Sequence, residues 1–242
     1  MPNVFGISIE GCSVKTMMDR LRDKPSPFWI VTANPEILLE ARRDPSYANV
    51  LRQADLRSVD GFGLWLLLRL FGFDVTRVTG IDLAMELIRF AHDRQWRVGL
   101  IGGGGSIAEK AAQEIKKRYP ALIIMAENGG AVDLRGEDEQ KGEEARHRLT
   151  LFDPQVLLVA FGHPKQESWI AKHKNAFPNL KVVIGVGGAF DVWAGKSKRA
   201  PTLFRQLGFE WLWRLIKEPR RIKRIWNAVI VFPIRFILDQ LT

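Results

Sequence analysis

Residues 98–112 read VGLIGGGGSIAEKAA: a short apolar run, four glycines from Gly102 to Gly105, then alanines and charged residues at helical spacing. Taken as strand, turn and helix, the stretch sets backbone N–H groups and the positive end of a helix at the carboxyl end of a strand. That arrangement suits a diphosphate. It is a poor dinucleotide fingerprint, because Ile107 stands where the third glycine belongs, and it lacks the Lys-Ser/Thr of a P-loop. Gly103 and Gly104 are therefore candidate phosphate contacts, with a tight turn needing positive φ as the plain alternative.

The same theme recurs on either side. Apolar, β-branched runs at Phe28–Ala33, Leu122–Met125, Val156–Phe161 and Val182–Val186 join Val98–Ile101, each suited to a strand covered on both faces. Helical patterns follow at Phe62–Phe71, Ile107–Tyr119, Glu137–Leu149 and Lys165–Ala176. The expected class is α/β: a Rossmann-like, mainly parallel sheet with helices on both faces, plus a basic amphipathic C-terminal helical appendage. Ligands of such sheets bind beyond the carboxyl ends of the strands. The boundary is expected within Gly195–Pro201, dividing residues 1–195 from an appendage of residues 196–242.

Composition narrows the function. The 242 residues are 46% hydrophobic and 26% charged, which excludes fibrous and mostly disordered classes. One cysteine, Cys12, makes no internal disulfide, and His92, His147, His163 and His173 show no metal-ligand spacing, so neither a metal nor a cofactor is called for. No nucleophile elbow appears. The opening MPNVFGISIEG has no signal-peptide pattern, and the expected location is cytoplasmic.

The net charge of +9 is concentrated. From Lys196 to Thr242 eleven Lys/Arg face three acids, leaving the rest nearly neutral. A basic tail implies an anionic partner. After Pro219, apolar residues recur at Ile222, Ile225, Trp226, Val229, Phe232, Phe236 and Ile237, with Arg220, Lys223, Arg224 and Asn227 between them. The longest uncharged run, Ile225 to Ile234, has ten residues, about half of the ~20 that a spanning helix needs. A basic amphipathic helix of this kind suits the interface of an anionic membrane, peripheral on its inner face. Packing on the domain, or on a second copy in a homo-oligomer, fits the pattern as well. Nucleic acid is not expected, because its binders place aromatic and basic residues on one groove.

Several strand ends offer polar groups. In VTANPE, Thr32 and Asn34 precede Pro35, and Asn34 suits a helix N-cap as well as a substrate contact. In SVDGFG, Asp60 either caps the following helix or takes a proton from a hydroxyl, with Gly61 and Gly63 clearing space around it. In GHPKQE, Gln166 lies in the first turn of a helix, where it can meet polar groups or phosphate oxygens. Glu127 suits a ribose contact or a solvated loop, and Asp191 a loop cap.

In order, VTANPE, SVDGFG, RVTGIDL, the glycine loop, FGHPKQE, GVGGAFD, AGKSKRAP and EWLWRLIKEPRR resemble the WecG/TagA/CpsF glycosyltransferases, glycosyltransferase family 26, over residues 5 to 225. The resemblance implies an inverting enzyme that moves a sugar from a UDP-sugar to a polyprenyl-diphosphate-linked acceptor at the membrane, in building wall teichoic acid, common antigen or exopolysaccharide. It implies Asp60 as general base, pocket roles for Thr32 and Asn34, and functional positions for Arg77 and Gln166. It also implies that Arg214, Arg221 and Arg224 contact diphosphate from the appendage. ENGG, Glu127–Gly130, departs from the His/Gly/Tyr-containing turn of relatives. The alternative is a nucleotide-binding Rossmann module whose tail binds nucleic acid or a protein; UDP stabilisation in a thermal-shift panel separates the two.

Overall fold

The structure is a computed structural model that describes residues 1–23 and 27–240, and all their side chains except those of Arg22, Asp23, Gln206 and Arg214. A small antiparallel hairpin opens the chain, β1 (Asn3–Val4) and β2 (Ile7–Ser8), turning through Phe5 and Gly6, both at positive φ. The main sheet holds β3 (Phe28–Ala33), β4 (Leu56–Val59), β5 (Arg97–Gly102), β6 (Ile123–Glu127), β7 (Val156–Ala160) and β8 (Val182–Gly185). Its order is β4-β3-β8-β7-β5-β6, every neighbouring pair parallel.

β3, β7 and β8 lie inside the sheet and are buried along their whole length, which is why they read as unbroken apolar runs. Alternation still sorts their side chains. Trp29, Val31 and Ala33 enter one core with helices Pro35–Arg43, Phe62–Leu70 and Lys165–His173; Phe28 and Ile30 enter the other with helices Gly80–Asp93 and Ile107–Arg118. β5 therefore sends the chain to one face and its neighbour β7 to the other. The same reversal separates β8 from β3, and it opens the crevice at the carboxyl edge.

The edge strand β4, LRSV, is too polar to read as a covered strand. Arg57 explains its composition: the guanidinium donates to the carbonyls of Ser8 and Leu51, 2.8 and 3.2 Å away. Helices Pro45–Arg52 and Gly80–Asp93 also went unmarked in the sequence, although each has a side-chain cap, Asp44 and Thr79.

The C-terminal segment runs through helices Thr202–Gln206 and Glu210–Lys217 and a 3₁₀ turn at Pro219–Arg221. It continues as one helical stretch from Ile222 to Gln240, α-helical except for a π turn at Asn227–Val231. The π turn directly precedes Phe232 and Pro233, which has no N–H to give a regular helix. The sequence pattern placed the apolar residues of this stretch on one face; the structure divides them between two. Phe232 and Phe236 are fully buried, with ring centroids 5.9 Å from Phe5 and 5.2 Å from Phe71 respectively. Ile222, Trp226, Ile230, Ile234 and Leu238, spaced four apart, are exposed. No helix among the described residues is long and apolar enough to cross a membrane.

Candidate functional site

The carboxyl ends of β3 and β4 gather four of the residues that the sequence singled out. Thr32 and Ser58 are register partners, and Arg77 bridges to Val59. Thr32 is buried against Gly80, where a β-carbon would come within 3.0 Å of its Oγ1. Asn34 is the N-cap of helix Pro35–Arg43: its Oδ1 accepts from the N–H of Glu36 and Ile37 at 3.0 and 3.1 Å. The amide nitrogen is what that side chain has left for a ligand. Gly61 presses so closely on Pro35 that a β-carbon would stand 2.6 Å from Pro35 Cδ, which sets the half-buried Asp60 beside Asn34. Asp60 N–H donates to Ala33 O at 2.9 Å, and its own carbonyl accepts from Arg77 Nε at 3.0 Å.

The C-terminal segment lies across this same edge. Arg199 pairs with Asp82 at 2.7 Å, and Arg77 Nη1 donates to Arg205 O at 3.3 Å. Gly208 meets Phe62 so closely that a β-carbon would be 2.3 Å from its ring. Farther along, Arg224 donates through Nε at 2.9 Å and through Nη2 to Glu36 Oε2, the oxygen that also meets His163 Nε2 at 2.9 Å. Arg221 instead pairs with Glu218 within its own segment. Arg214 falls in helix Glu210–Lys217, and its side chain lies outside the described residues.

The β5, β7 and β8 ends are arranged differently. Gly102 to Gly105 have φ of +110°, +79°, +67° and +54°, a run that L side chains resist. A β-carbon on Gly102 would lie 2.6 Å from Ala160 O, whereas Gly104 and Gly105 face open space. Helix Ile107–Arg118 follows with no side-chain cap on its N-terminus. Asn128 Nδ2 holds the loop through Gly105 O at 2.6 Å. Glu127 is not a solvated loop group: both its oxygens accept from Arg148 at 2.8 Å. Gln166 is nearly buried and staples two strand ends, accepting from Gly187 N–H at 3.0 Å and donating to Glu167 at 2.7 Å. Asp191 pairs with Lys196 at 2.9 Å.

Two carboxyl groups here titrate in opposite directions. Burial raises the Glu36 pKa, but the hydrogen bonds and charges of His163 and Arg224 outweigh it and hold the group at about 2. Glu167 goes the other way, because its complete burial outweighs the hydrogen bonds from Gln166 and Tyr47 and pushes it above the ordinary carboxylate range.

Glu36 and His163 were missed in the sequence. An acid in a first helical turn reads as ordinary helix-dipole compensation, and no spacing rule joins it to an arginine 188 residues later. The assembled edge has a carboxylate at Asp60, positioned amides, an open glycine loop with an uncapped helix N-terminus, and cations brought by the C-terminal segment. These are the elements for binding an anion and deprotonating a hydroxyl beside it.

Residues 2–242 match the Glycosyl transferase WecG/TagA/CpsF family, and the chain belongs to it. Relatives from Staphylococcus aureus strains MRSA252 and MW2 are each an N-acetylglucosaminyldiphosphoundecaprenol N-acetyl-beta-D-mannosaminyltransferase. Both are 34% identical over 234 residues, which covers 94% of this chain and 89% of theirs.

Proposed function

We propose that this chain is an inverting glycosyltransferase that moves a sugar of the N-acetylmannosamine or glucose type from a UDP-sugar to a polyprenyl-diphosphate-linked sugar. The reaction takes place at the cytoplasmic membrane surface, in making a cell-wall polymer or an exopolysaccharide. The observation that carries the reading is the convergence of Asp60, Asn34 and Arg77 at the β3/β4 edge with the basic segment laid across it, in a chain of this family. The names of its relatives support the donor and acceptor classes.

In this reading Asp60 takes the proton of the acceptor hydroxyl as that oxygen attacks the anomeric carbon from the face opposite the departing UDP. Inversion in one displacement needs no protein nucleophile. The glycine loop and the N-terminus of helix Ile107–Arg118 receive the diphosphate, with Gly103 and Gly104 lining it. Fixed cations manage the remaining phosphate charge: Arg77 at the β3/β4 edge, and Arg214, Arg221 and Arg224 of the C-terminal segment toward the diphosphate of the lipid-linked acceptor. Thr32 shapes the pocket through Gly80, Asn34 offers its amide to a sugar, and Gln166 fixes the β7 and β8 loops beside them.

An anionic bilayer is the proposed surface partner. Supporting this are the +8 balance of residues 196–242 and the exposed line of Ile222, Trp226, Ile230, Ile234 and Leu238, with Leu66 and Leu70 also exposed on helix Phe62–Leu70 and Phe71, which meets Phe236, exposed just past its end. The deciding experiment is a panel of radiolabelled UDP-sugars against short-chain polyprenyl-diphosphate acceptors, with flotation on anionic vesicles at low and high salt. Transfer from one donor, together with salt-sensitive flotation, supports the reading. A chain that binds UDP but transfers nothing from the panel rejects it.

A further inference from the structure

Arg224, in the helical stretch from Ile222 to Gln240, pairs with a carboxylate of the sheet domain, and the position of that carboxylate is tightly determined. Glu36 is the second residue of helix Pro35–Arg43, where Pro35 opens the helix and Asn34 Oδ1 caps the Glu36 N–H. Its location in a first turn favours a fixed negative charge. From the β7 side, His163 Nε2 meets Glu36 Oε2 at 2.9 Å, so the ends of two strands converge on one oxygen. Arg224 closes on that oxygen with two N–H groups.

We propose that Glu36 is a positioning residue: resting on the transferase reading above, it seats Arg224 and thereby fixes the C-terminal segment over the crevice in the placement that acceptor transfer requires. Arg224 is half-exposed and Glu36 mostly covered, so one side of the guanidinium is committed to Glu36 while its other edge remains accessible. Arg221 is paired with Glu218 in its own segment, at the turn that leads to Arg224. His163 supports the seat from the opposite side and holds the Glu36 carboxylate in its rotamer. The elements joined, helix Pro35–Arg43, the β7 loop and the C-terminal helix, are far apart in sequence. A single shared oxygen makes their positions interdependent.

Displacement of a positioned group by about 1 Å costs catalysis on the order of 100-fold. The test uses the full-length chain and three variants, Glu36→Gln, Glu36→Asp and Arg224→Gln. The expected result for Glu36→Gln is a loss of about 10- to 100-fold in kcat/KM for the lipid-linked acceptor, with UDP affinity by calorimetry unchanged. Glu36→Asp should recover part of that loss. Limited trypsin digestion gives a readout that needs no turnover: cleavage after Lys217, Arg220 and Lys223 should accelerate in Glu36→Gln and Arg224→Gln alike. Equal losses of UDP affinity and acceptor use in Glu36→Gln would mark a general structural role and overturn the proposal, as would wild-type turnover with wild-type digestion. A wild-type chain that transfers no sugar, yet shows the digestion difference, would reject the transferase reading and leave the seat in place.

Discussion

The two halves of the sheet's carboxyl edge are built on opposite plans. At β3 and β4 several polar groups already have protein partners: Asn34 caps a helix, the Asp60 carbonyl takes Arg77, and Glu36 takes Arg224 and His163. At β5 the glycine loop faces open space at Gly104 and Gly105 and leads into a helix without a side-chain cap. The covered half is held together by the C-terminal segment, and the open half by local contacts such as Asn128 to Gly105. The contrast suggests a division of labour. An anion can enter the open half without displacing a protein group, whereas the covered half is organised before any ligand arrives. On the proposed reading, the donor diphosphate belongs to the first and the acceptor hydroxyl to the second.

The largest effect should come from the covered half. Asp60→Asn keeps the size of the side chain and the backbone bonds to Ala33 and Arg77 but removes the base, so kcat should fall about 10²–10⁴-fold with circular dichroism and UDP affinity unchanged. Near-normal turnover would move the base elsewhere and break the division.

Phe236→Ala sharpens the contrast through packing. Phe236 is fully buried, and removing its ring empties the contact with Phe71 and should cost about 3–5 kcal/mol by urea denaturation. Because the ring anchors the C-terminal segment, acceptor turnover should weaken in the variant while UDP affinity holds. Equal weakening of both would mean that the two halves are not separable. Gly102→Ala addresses the open half. Its β-carbon would stand 2.6 Å from Ala160 O at a φ of +110°, so the loop must shift at a cost of about 1–3 kcal/mol. UDP affinity should fall there before acceptor affinity does.

Much of the sheet was legible because covered parallel strands have little choice but to be apolar; β3 is recovered residue for residue, and β5, β7 and β8 to within a residue at either end. β4 was not, because Arg57 satisfies carbonyls that a strand pattern cannot foresee. The glycine loop and Asp60 stood out as punctuation at strand ends. Gln166 stood out as well, but its staple to Gly187 depends on the β7–β8 pairing and not on its own neighbours. The seat at Glu36 was illegible for the same reason on a larger scale, since its partners come from the β7 loop and the C-terminal segment. The helical period also failed in that segment, where a π turn and two inward phenylalanines split one expected face into two.

The smallest expected effect lies in the pH dependence of the covered half. Glu36 is held at about 2 in the folded chain, against an ordinary value near 4.5. A carboxyl whose folded pKa is depressed adds stability that is fully present above its unfolded value and is lost as pH falls toward the folded one. The contribution should therefore be complete above about pH 4.5 and fade toward pH 2. Because Arg224 is half-exposed, solvent screening keeps it to about 1 kcal/mol. Glu36→Gln removes this charge, so the stability gap between wild type and variant, measured by urea denaturation at pH 6 and again at pH 2.5, should narrow on acidification. A gap that stays constant would show that the carboxylate charge does not hold the segment, and that apolar anchoring at Phe232 and Phe236 suffices to cover this half of the edge.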